Sequence, residues 1–396
     1  MQSTRRLVQT LFLTTGILAA TYGAMFATLA EFRDDYGISE GGIGLIVAIG
    51  FLTGFVVQLT LAPLADRGHA RKLVIIGVLI TIAGTLGMAT SKTLALLLIS
   101  RIAMGVGAGL SSPALRRIFI LLDPTAMGSN LGKLLATDVA GFVMGPIIGA
   151  LTVDRFGVAA PFLLLAGALA ICLPLLLSVH VEESTAVGPR NERFAVDLLR
   201  DRGVLSAVLL GVAVFVMIGT FDSLWVLVMT DMEAGSFIAK SGIVVFALPL
   251  ILLGSLGGRL TQTLGPFRAS TLGLVFGSLC MASYGFLPDP YLMIGVGIVH
   301  GINDGLTITG TGVAVGMNVP AHRQGAAQGL LGGMQTLAGG LAALAAGSLY
   351  NATSRQFVFA TCALVMLALV ATSFAMSHRG GFFRSVPTPN LGTAQS

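Results

Sequence analysis

Twelve apolar runs, each long enough to cross a bilayer as a helix, succeed one another along this sequence with short polar connections between them. They lie at 8–31, 41–64, 72–91, 94–115, 130–153, 158–180, 204–230, 238–260, 267–287, 291–314, 325–350 and 355–378, and the fourth continues as an apolar extension through Ile118–Leu122. About 20 residues of α-helix cover the hydrocarbon layer. Within that layer the protein itself has to satisfy every backbone amide and carbonyl, so runs of this length predict spanning helices. Composition agrees. A soluble chain of 396 residues, 55% of them hydrophobic, would lack the polar surface to cover its core. The 52 glycines suit helices that approach one another closely in lipid. The first run lacks the small-residue cleavage site of a signal peptide and reads as the first membrane helix.

The placement of Lys and Arg sets an orientation. With the N-terminus cytoplasmic, seventeen of the 23 fall inside and five outside, with Arg101 within a span. The expectation is a multi-pass protein of the cytoplasmic (inner) cell membrane with both termini inside. Val181–Arg202 is the long polar segment between the sixth and seventh runs, and its stretch F-A-V-D-L-L-R-D predicts a short surface helix. The expected domains are a six-helix bundle over 1–180, a cytoplasmic linker over 181–203, a second six-helix bundle over 204–378 and a disordered cytoplasmic tail over 379–396.

Between the second and third runs, Ala62–Lys72 reads A-P-L-A-D-R-G-H-A-R-K. In a chain where 10% of residues are charged, this density predicts a water-exposed turn. Shifted by 196 residues it falls on Gly258–Arg268, so that Asp66 meets Gln262 and Lys72 meets Arg268. The same shift brings Gly105 and Gly109 onto Gly301 and Gly305, and Gly23 onto Gly219; a shift of 197 brings Gly128 and Gly132 onto Gly325 and Gly329. One register held across separated segments implies two like-oriented halves, with a shared site near the midplane.

With these residues in hand, the chain resembles the major facilitator superfamily over nearly its whole length. That family's loop between the second and third helices is matched by Leu64, Asp66, Arg67, Arg71 and Lys72, with departures at Ala62, His69 and Ala70. A fourth-helix motif is matched by Arg101, Gly105, Gly107 and Gly109, and a fifth-helix motif by Gly141, Gly145, Pro146 and Gly149, with Ala150 where a further Gly is common. The resemblance implies an all-α integral membrane protein, with twelve transmembrane helices in two pseudo-symmetric six-helix bundles. The fifth-helix motif implies kinship with drug/proton antiporters. The implied function is secondary active export of a hydrophobic or amphipathic, drug-like small molecule by proton antiport with alternating access. The alternative is transport of a lipid-like molecule, sugar or metabolite by facilitation or symport. The implied cytoplasmic gate is Asp66, Arg67, Arg71 and Lys72. A solvated loop that only sets topology is the other reading of that stretch. Gly141, Gly145 and Gly149 repeat every four residues and, with Pro146, predict a close-packed helix with a hinge.

Charge within a span is costly and needs a reason. Arg101, Asp138, Asp222 and Asp304 are the four such residues. An acid whose surroundings alternate between wet and dry can load and release a proton as a cavity changes sides. Asp222 and Asp304 are the expected proton carriers or contacts for a cationic substrate. Asp138 is an open choice between that role and structure. Arg101 is expected to influence the proton step or pair with an acid. Asn303 and His300 adjoin Asp304, and His300 titrates in a useful range, although a lone His on a membrane helix is more often a hydrogen-bonded packing residue. Tyr22, Met25, Phe26, Phe221, Trp225, Met229 and Phe246 are candidates to line an apolar cavity, with core packing as the competing use. Trp225 is alternatively an interfacial anchor.

Cys172, Cys280 and Cys362 sit in apolar runs without a pairing motif and read as small hydrophobes; no metal-ligand spacing is seen. A net charge of +5 without a basic face argues against nucleic acid. Walker, HExxH and GxSxG motifs are not found, so no enzyme is expected. The expected partners are a small-molecule substrate, protons and the bilayer, in a monomer with no cofactor and the proton gradient as energy source.

Overall fold

A computed structural model of the chain describes residues 2–178, 181 and 195–381. In order the helices are α1 (Gln2–Ala27), α2 (Leu29–Tyr36), α3 (Glu40–Leu61), α4 (Ala70–Thr90), α5 (Leu94–Leu122), α6 (Met127–Phe156), α7 (Ala160–Ser178), α8 (Arg202–Asp231), α9 (Ser236–Leu264), α10 (Pro266–Tyr284), α11 (Pro290–Thr307), α12 (Gly310–Met317), α13 (Gln324–Ala352) and α14 (Arg355–Arg379). No strand occurs among the described residues. Most of the expected tail and most of the expected linker lie outside them, while Arg379, expected as the first residue of the tail, ends α14. The described end of the linker does form a short helical segment, a 3-10 turn at Ala195–Arg200.

Eleven helical segments among the described residues are long and apolar enough to cross a membrane. They match every expected span except the ninth. That span is the 19-residue α10, a shorter helix whose first turn carries Arg268 and which also holds Ser270, Thr271 and Ser278. The fourth span does run on to Leu122, as its apolar extension implied. The tenth is divided into α11 and α12 at Ile308–Thr309. Side-chain caps set several helix starts. Ser39 accepts from the Gly42 amide, Asp201 from Val204, Asp289 from Tyr291 and Leu292, and Ser354 from Phe357. Gly265, at φ 93°, makes the turn from α9 into α10, and Pro266 at the first helical position supplies the preset φ of a helix start.

The chain divides into two compact units: 1–118 with 137–194, and 119–136 with 195–396. In the first unit α7 packs on α1 and α4. Its core gathers Met25, Phe32, Ile46, Met104 and Phe162, with Tyr22 and Phe26 against them. In the second unit α8 packs on α13 and α14, and α9 on α11. The N-terminal turns of α6 belong to this second unit, where Met127 and Leu131 pack with Val313 and Met317.

The sequence repeat is a repeat of contacts. A Cβ on Gly105 of α5 would lie 2.9 Å from the carbonyl oxygen of Gly50 on α3. One on Gly301 of α11 would lie 2.7 Å from the carbonyl oxygen of Phe246 on α9, and Phe246 is 196 residues beyond Gly50. One turn on, Gly109 faces Val57, and Gly305 faces Leu253, again 196 residues later. Gly23 of α1 faces the carbonyl of Phe142 on α6, and Gly219 of α8 faces that of Gly339 on α13. The step from Phe142 to Gly339 is 197, the offset found for Gly128 and Gly132. Glycine at these places lets two backbones touch, which is how helices gain dispersion energy in lipid.

The stretch at Ala62–Lys72 departs from expectation. Residues Ala62–Arg67 form a 3-10 helix rather than a water-exposed turn, and Ala62, Pro63, Ala65 and Asp66 are buried. Pro63 supplies a preset φ near the start, and Gly68, at φ 77°, turns the chain into α4.

Candidate functional site

In the second unit, two turns of α11 carry a polar cluster in an apolar setting. Asp304 is 3% exposed and His300 is fully buried. Asn303 bridges two elements, with Nδ2 donating to the carbonyl oxygen of Gly273 on α10 at 3.0 Å and to Asp304 Oδ1 at 3.1 Å. The other oxygen, Asp304 Oδ2, lies 3.7 Å from His300 Nε2, beyond hydrogen-bond range, and has no hydrogen-bond partner. His300 touches a neighbour at each ring nitrogen: Nδ1 is 3.2 Å from the Tyr284 hydroxyl and Nε2 is 3.2 Å from Met217 Sδ.

Aromatic rings close around this cluster. Phe221 stacks on Phe246 at 4.6 Å and lies 4.8 Å from Trp225. Tyr284 contacts Phe221, Trp225 and Phe359, and Phe246 meets the His300 ring edge to face at 5.4 Å. Phe221 and Trp225 are each 2% exposed and Met229 is fully buried, so these side chains form a packed core instead of an open wall. Trp225 is therefore no interfacial anchor, and its indole Nε1 has no acceptor. Asp222, next to Phe221 on α8, is exposed on its unit.

The first unit holds a cationic counterpart. Arg101 is 1% exposed, with its guanidinium carbon 4.9 Å from the Tyr22 ring centroid and 5.9 Å from that of Phe26. Gly50 leaves the space it occupies. Its Nε and Nη1 have no hydrogen-bond partner, while the Tyr22 hydroxyl donates to the Met104 carbonyl. Met25 is fully buried in the adjoining core. Arg101 does not meet Asp138 in an ion pair among the described residues; Asp138, which is exposed, lies within electrostatic reach of Arg116.

Register explains why the two clusters differ. Arg101 shifted by 196 is Gly297, and Gly50 shifted by 196 is Phe246. In the first unit α3 supplies the gap and α5 the bulk; in the second α9 supplies the bulk and α11 the gap.

In the stretch Ala62–Lys72, Asp66 Oδ1 accepts from Arg117 Nε of α5 at 2.8 Å. Both side chains are buried. Arg116 and Arg117, two of the seventeen cations assigned to the inside, both lie on α5, and Arg117 is a buried partner. Arg71 Nη2 donates to the carbonyl oxygens of Leu176 and Leu177 at the C-terminal end of α7, where a cation also meets the negative helix end. Arg67 and Lys72 are placed on either side of Gly68, at the end of the 3-10 helix and in the first turn of α4.

Gln262, the echo of Asp66, binds a helix start instead. Its Oε1 accepts from the Gly128 amide at 2.7 Å, and its Nε2 faces the carbonyl oxygens of Pro124 and Thr125. Below it, Gly128 and Gly132 meet Gly258 and Gly254 backbone to backbone. In the fifth-helix motif, Gly141 and Gly145 press on the α1 backbone at Gly16 and at Ala20–Ala24, and Pro146 touches Gly23. Gly149 is looser, with only Ala27 Cβ at 3.7 Å from where its own Cβ would stand.

Comparison with known proteins bears on the whole chain. The family model described as Major Facilitator Superfamily matches residues 11–290 and 224–385. The chain belongs to this superfamily. Among curated superfamily relatives, a multi-drug resistance efflux pump PmrA homolog of Lactococcus lactis subsp. lactis (strain IL1403) is 27% identical over 293 residues, covering 69% of this chain and 71% of that protein. The quinolone resistance protein NorA of Staphylococcus aureus (strain Mu50 / ATCC 700699) is 25% identical over 128 residues, which span 32% of this chain and 33% of NorA. Among solved structures, the human organic anion transporter MFSD10 (TETRAN) superposes with a TM-score of 0.75 at 16% identity, covering 93% of this chain and 99% of that one. That likeness shows the superfamily fold. The protein is thus a multi-pass membrane transporter of the major facilitator type. Sequence reasoning gave no site role to Arg117, Tyr284 and Met217, and it named Gln262 without its contact. The shift that pairs Asp66 with Gln262 was a signal for the last of these.

Proposed function

We propose that this transporter exports a hydrophobic or amphipathic, drug-like molecule in exchange for protons, by alternating access in the cell membrane. One observation carries the reading: Asp304 Oδ2 is buried, one turn from the aromatic cluster around His300, with no hydrogen-bond partner. An unpaired ionised oxygen in such a place is costly, and a proton is the smallest occupant that satisfies it. Asp222, exposed beside the same rings, adds a second acid that an aqueous cleft or a cationic cargo can reach. The efflux-pump relatives point the same way, at modest identity. Asp66, Arg67, Arg71 and Lys72 serve in this reading as the cytoplasmic gate. The energy source is the proton gradient.

The test is transport in proteoliposomes, with ethidium as cargo and an internal pH dye. Ethidium movement is expected to run against its gradient only with an imposed proton gradient, and Asp304→Asn to abolish that coupling. Uptake indifferent to a protonophore rules out antiport. A second reading, in which the cargo is an anionic metabolite, is favoured by the unpartnered Nε and Nη1 of Arg101. An anionic dye moving in place of ethidium selects it.

A further inference from the structure

The proposed proton step at Asp304 needs a donor, and the side chains around His300 supply a directional one. We propose that Tyr284 and His300 form a relay that delivers the proton to Asp304 Oδ2, with Met217 Sδ as the resting acceptor for the imidazole N–H. The inference rests on the reading of Asp304 as the proton carrier.

The geometry is specific. The His300 ring is contacted at both nitrogens, by the Tyr284 hydroxyl at Nδ1 and by Met217 Sδ at Nε2. A thioether only accepts, and weakly, so this contact assigns the N–H to Nε2 and leaves Nδ1 to accept from the Tyr284 O–H. From its place at 3.2 Å from sulfur, Nε2 stands 3.7 Å from the unsatisfied Oδ2. A movement of under about 1 Å brings the two into hydrogen-bond range. Gly277 leaves the ring room for this. A Cβ there would stand 3.1 Å from Nε2 and 3.3 Å from the Met217 sulfur.

The elements around the ring bring few rival titratable groups. From α10 come Tyr284 and, near Asp304, Cys280; α11 itself brings Asp304. The named contacts from α8, α9 and α14 are Met217, Phe221, Trp225, Phe246 and Phe359, none of which titrates, while Asp222 sits on α8 beside Phe221.

Position gives the relay a direction. With the N-terminus inside, α10 runs outward and ends at Tyr284, and α11 runs back inward through His300 and then Asp304. The two α11 residues are one turn apart, about 6 Å along the axis. The order from outside to inside is therefore Tyr284, His300, Asp304, the direction of proton influx. In the step, the Tyr284 hydroxyl proton passes to Nδ1 as a hydronium ion reaching the phenol oxygen from the outer side replaces it and leaves as water. The Nε2 proton leaves to Oδ2. The carboxylate becomes a carboxylic acid, and the ring stays neutral in its other tautomer. Exchange with water restores the first tautomer after Asp304 has discharged into the wetted cavity.

Tyr284 and Met217 are positioning residues in this scheme, so the test needs more than a rate. Full-length protein in liposomes is assayed for ethidium movement and internal pH across a range of external pH. Tyr284→Phe, which keeps the ring and deletes the hydroxyl, is expected to lower gradient-driven transport at least tenfold and to flatten its pH dependence. Exchange without a gradient is expected to fall less than threefold. Tyr350→Phe, which loses only a hydrogen bond to Asp231 on another part of the unit, is the unchanged control. Wild-type transport with an unaltered pH profile in Tyr284→Phe, alongside a dead Asp304→Asn, overturns the relay and leaves the proton reading standing. Wild-type transport indifferent to a protonophore overturns both. Should Tyr284→Phe fail to fold, His300→Gln and infrared detection of the Asp304 acid carbonyl after a pH jump replace it. Slowed appearance of that band supports the relay, and an unchanged rate refutes it.

Discussion

Arg117 reaches Asp66 across 51 residues of sequence and binds it at 2.8 Å, with both side chains withdrawn from water. Breaking such a pair from one side leaves an uncompensated buried charge, which costs roughly 3–5 kcal/mol, whereas removing both partners together is often near neutral. Arg117→Met is therefore expected to destabilise the first unit by about 3 kcal/mol. Arg117→Met with Asp66→Leu should recover at least half of that loss. Denaturation in detergent micelles, followed by circular dichroism, measures both. A double variant no better than the single one removes the pair from the account.

The fifth-helix glycines should not respond alike. A methyl at Gly145 would fall on the α1 backbone, while one at Gly149 would meet only Ala27 Cβ at 3.7 Å, an ordinary contact. Overpacking a close seam costs about 1–3 kcal/mol. Gly145→Ala is expected to pay that and lose transport, and Gly149→Ala to change stability by less than about 0.5 kcal/mol. Equal losses at the two positions would show that the motif acts through something other than this packing.

Arg323, 6% exposed, holds Asp197 with two hydrogen bonds, of 3.0 and 2.8 Å. The pair pins the 3-10 turn at Ala195–Arg200 to the start of α13. Bidentate geometry is where an arginine outperforms other cations. Arg323→Lys should therefore increase proteolytic cutting near Leu198–Arg200 severalfold, with α8 remaining intact. Cutting at the wild-type rate means the turn is held by other contacts.

Asp123 caps the turn before α6, accepting from the Thr125 hydroxyl at 2.6 Å and from the Thr125 and Ala126 amides. These hydrogen bonds hold its carboxyl below the usual value, the Thr125 hydroxyl first among them. A carboxyl lowered in the folded state stabilises it above the unfolded value, near pH 4, and the gain fades as pH falls through the folded value. The side chain is exposed, so the effect is under about 1 kcal/mol. Amide exchange at Ala126 should quicken in Asp123→Ala at neutral pH and match wild type in strong acid. A difference that persists in acid contradicts the cap.

Hydropathy made the spans readable because lipid leaves a chain so few choices for its backbone. It read least well where polar groups interrupt: α10 with Arg268 in its first turn, and the division at Ile308–Thr309. The acids at 222 and 304 were visible as charge in an apolar run. Their surroundings were not, because a neighbour such as Met217 lies 83 residues from His300 and depends on how two helices are turned toward each other. The part Arg117 plays was hidden for a related reason: Arg116 and Arg117 look alike in the sequence. They sit six and five residues short of the helix end at Leu122, where charge density looks the same whether a side chain meets water or a buried acid.

The exchange of Gly50 and Arg101 for Phe246 and Gly297 gives the two bundles different fates at one address. Where α5 fills the gap it brings charge, and where α9 fills it the wall is aromatic. The glycine seams beside both are kept, since Gly105 meets the carbonyl of Gly50 and Gly301 that of Phe246, its counterpart 196 residues on. Backbone contact thus acts as a frame common to the two halves, and a single trade of volume across it decides whether a guanidinium or a phenyl ring fills the space beside the seam.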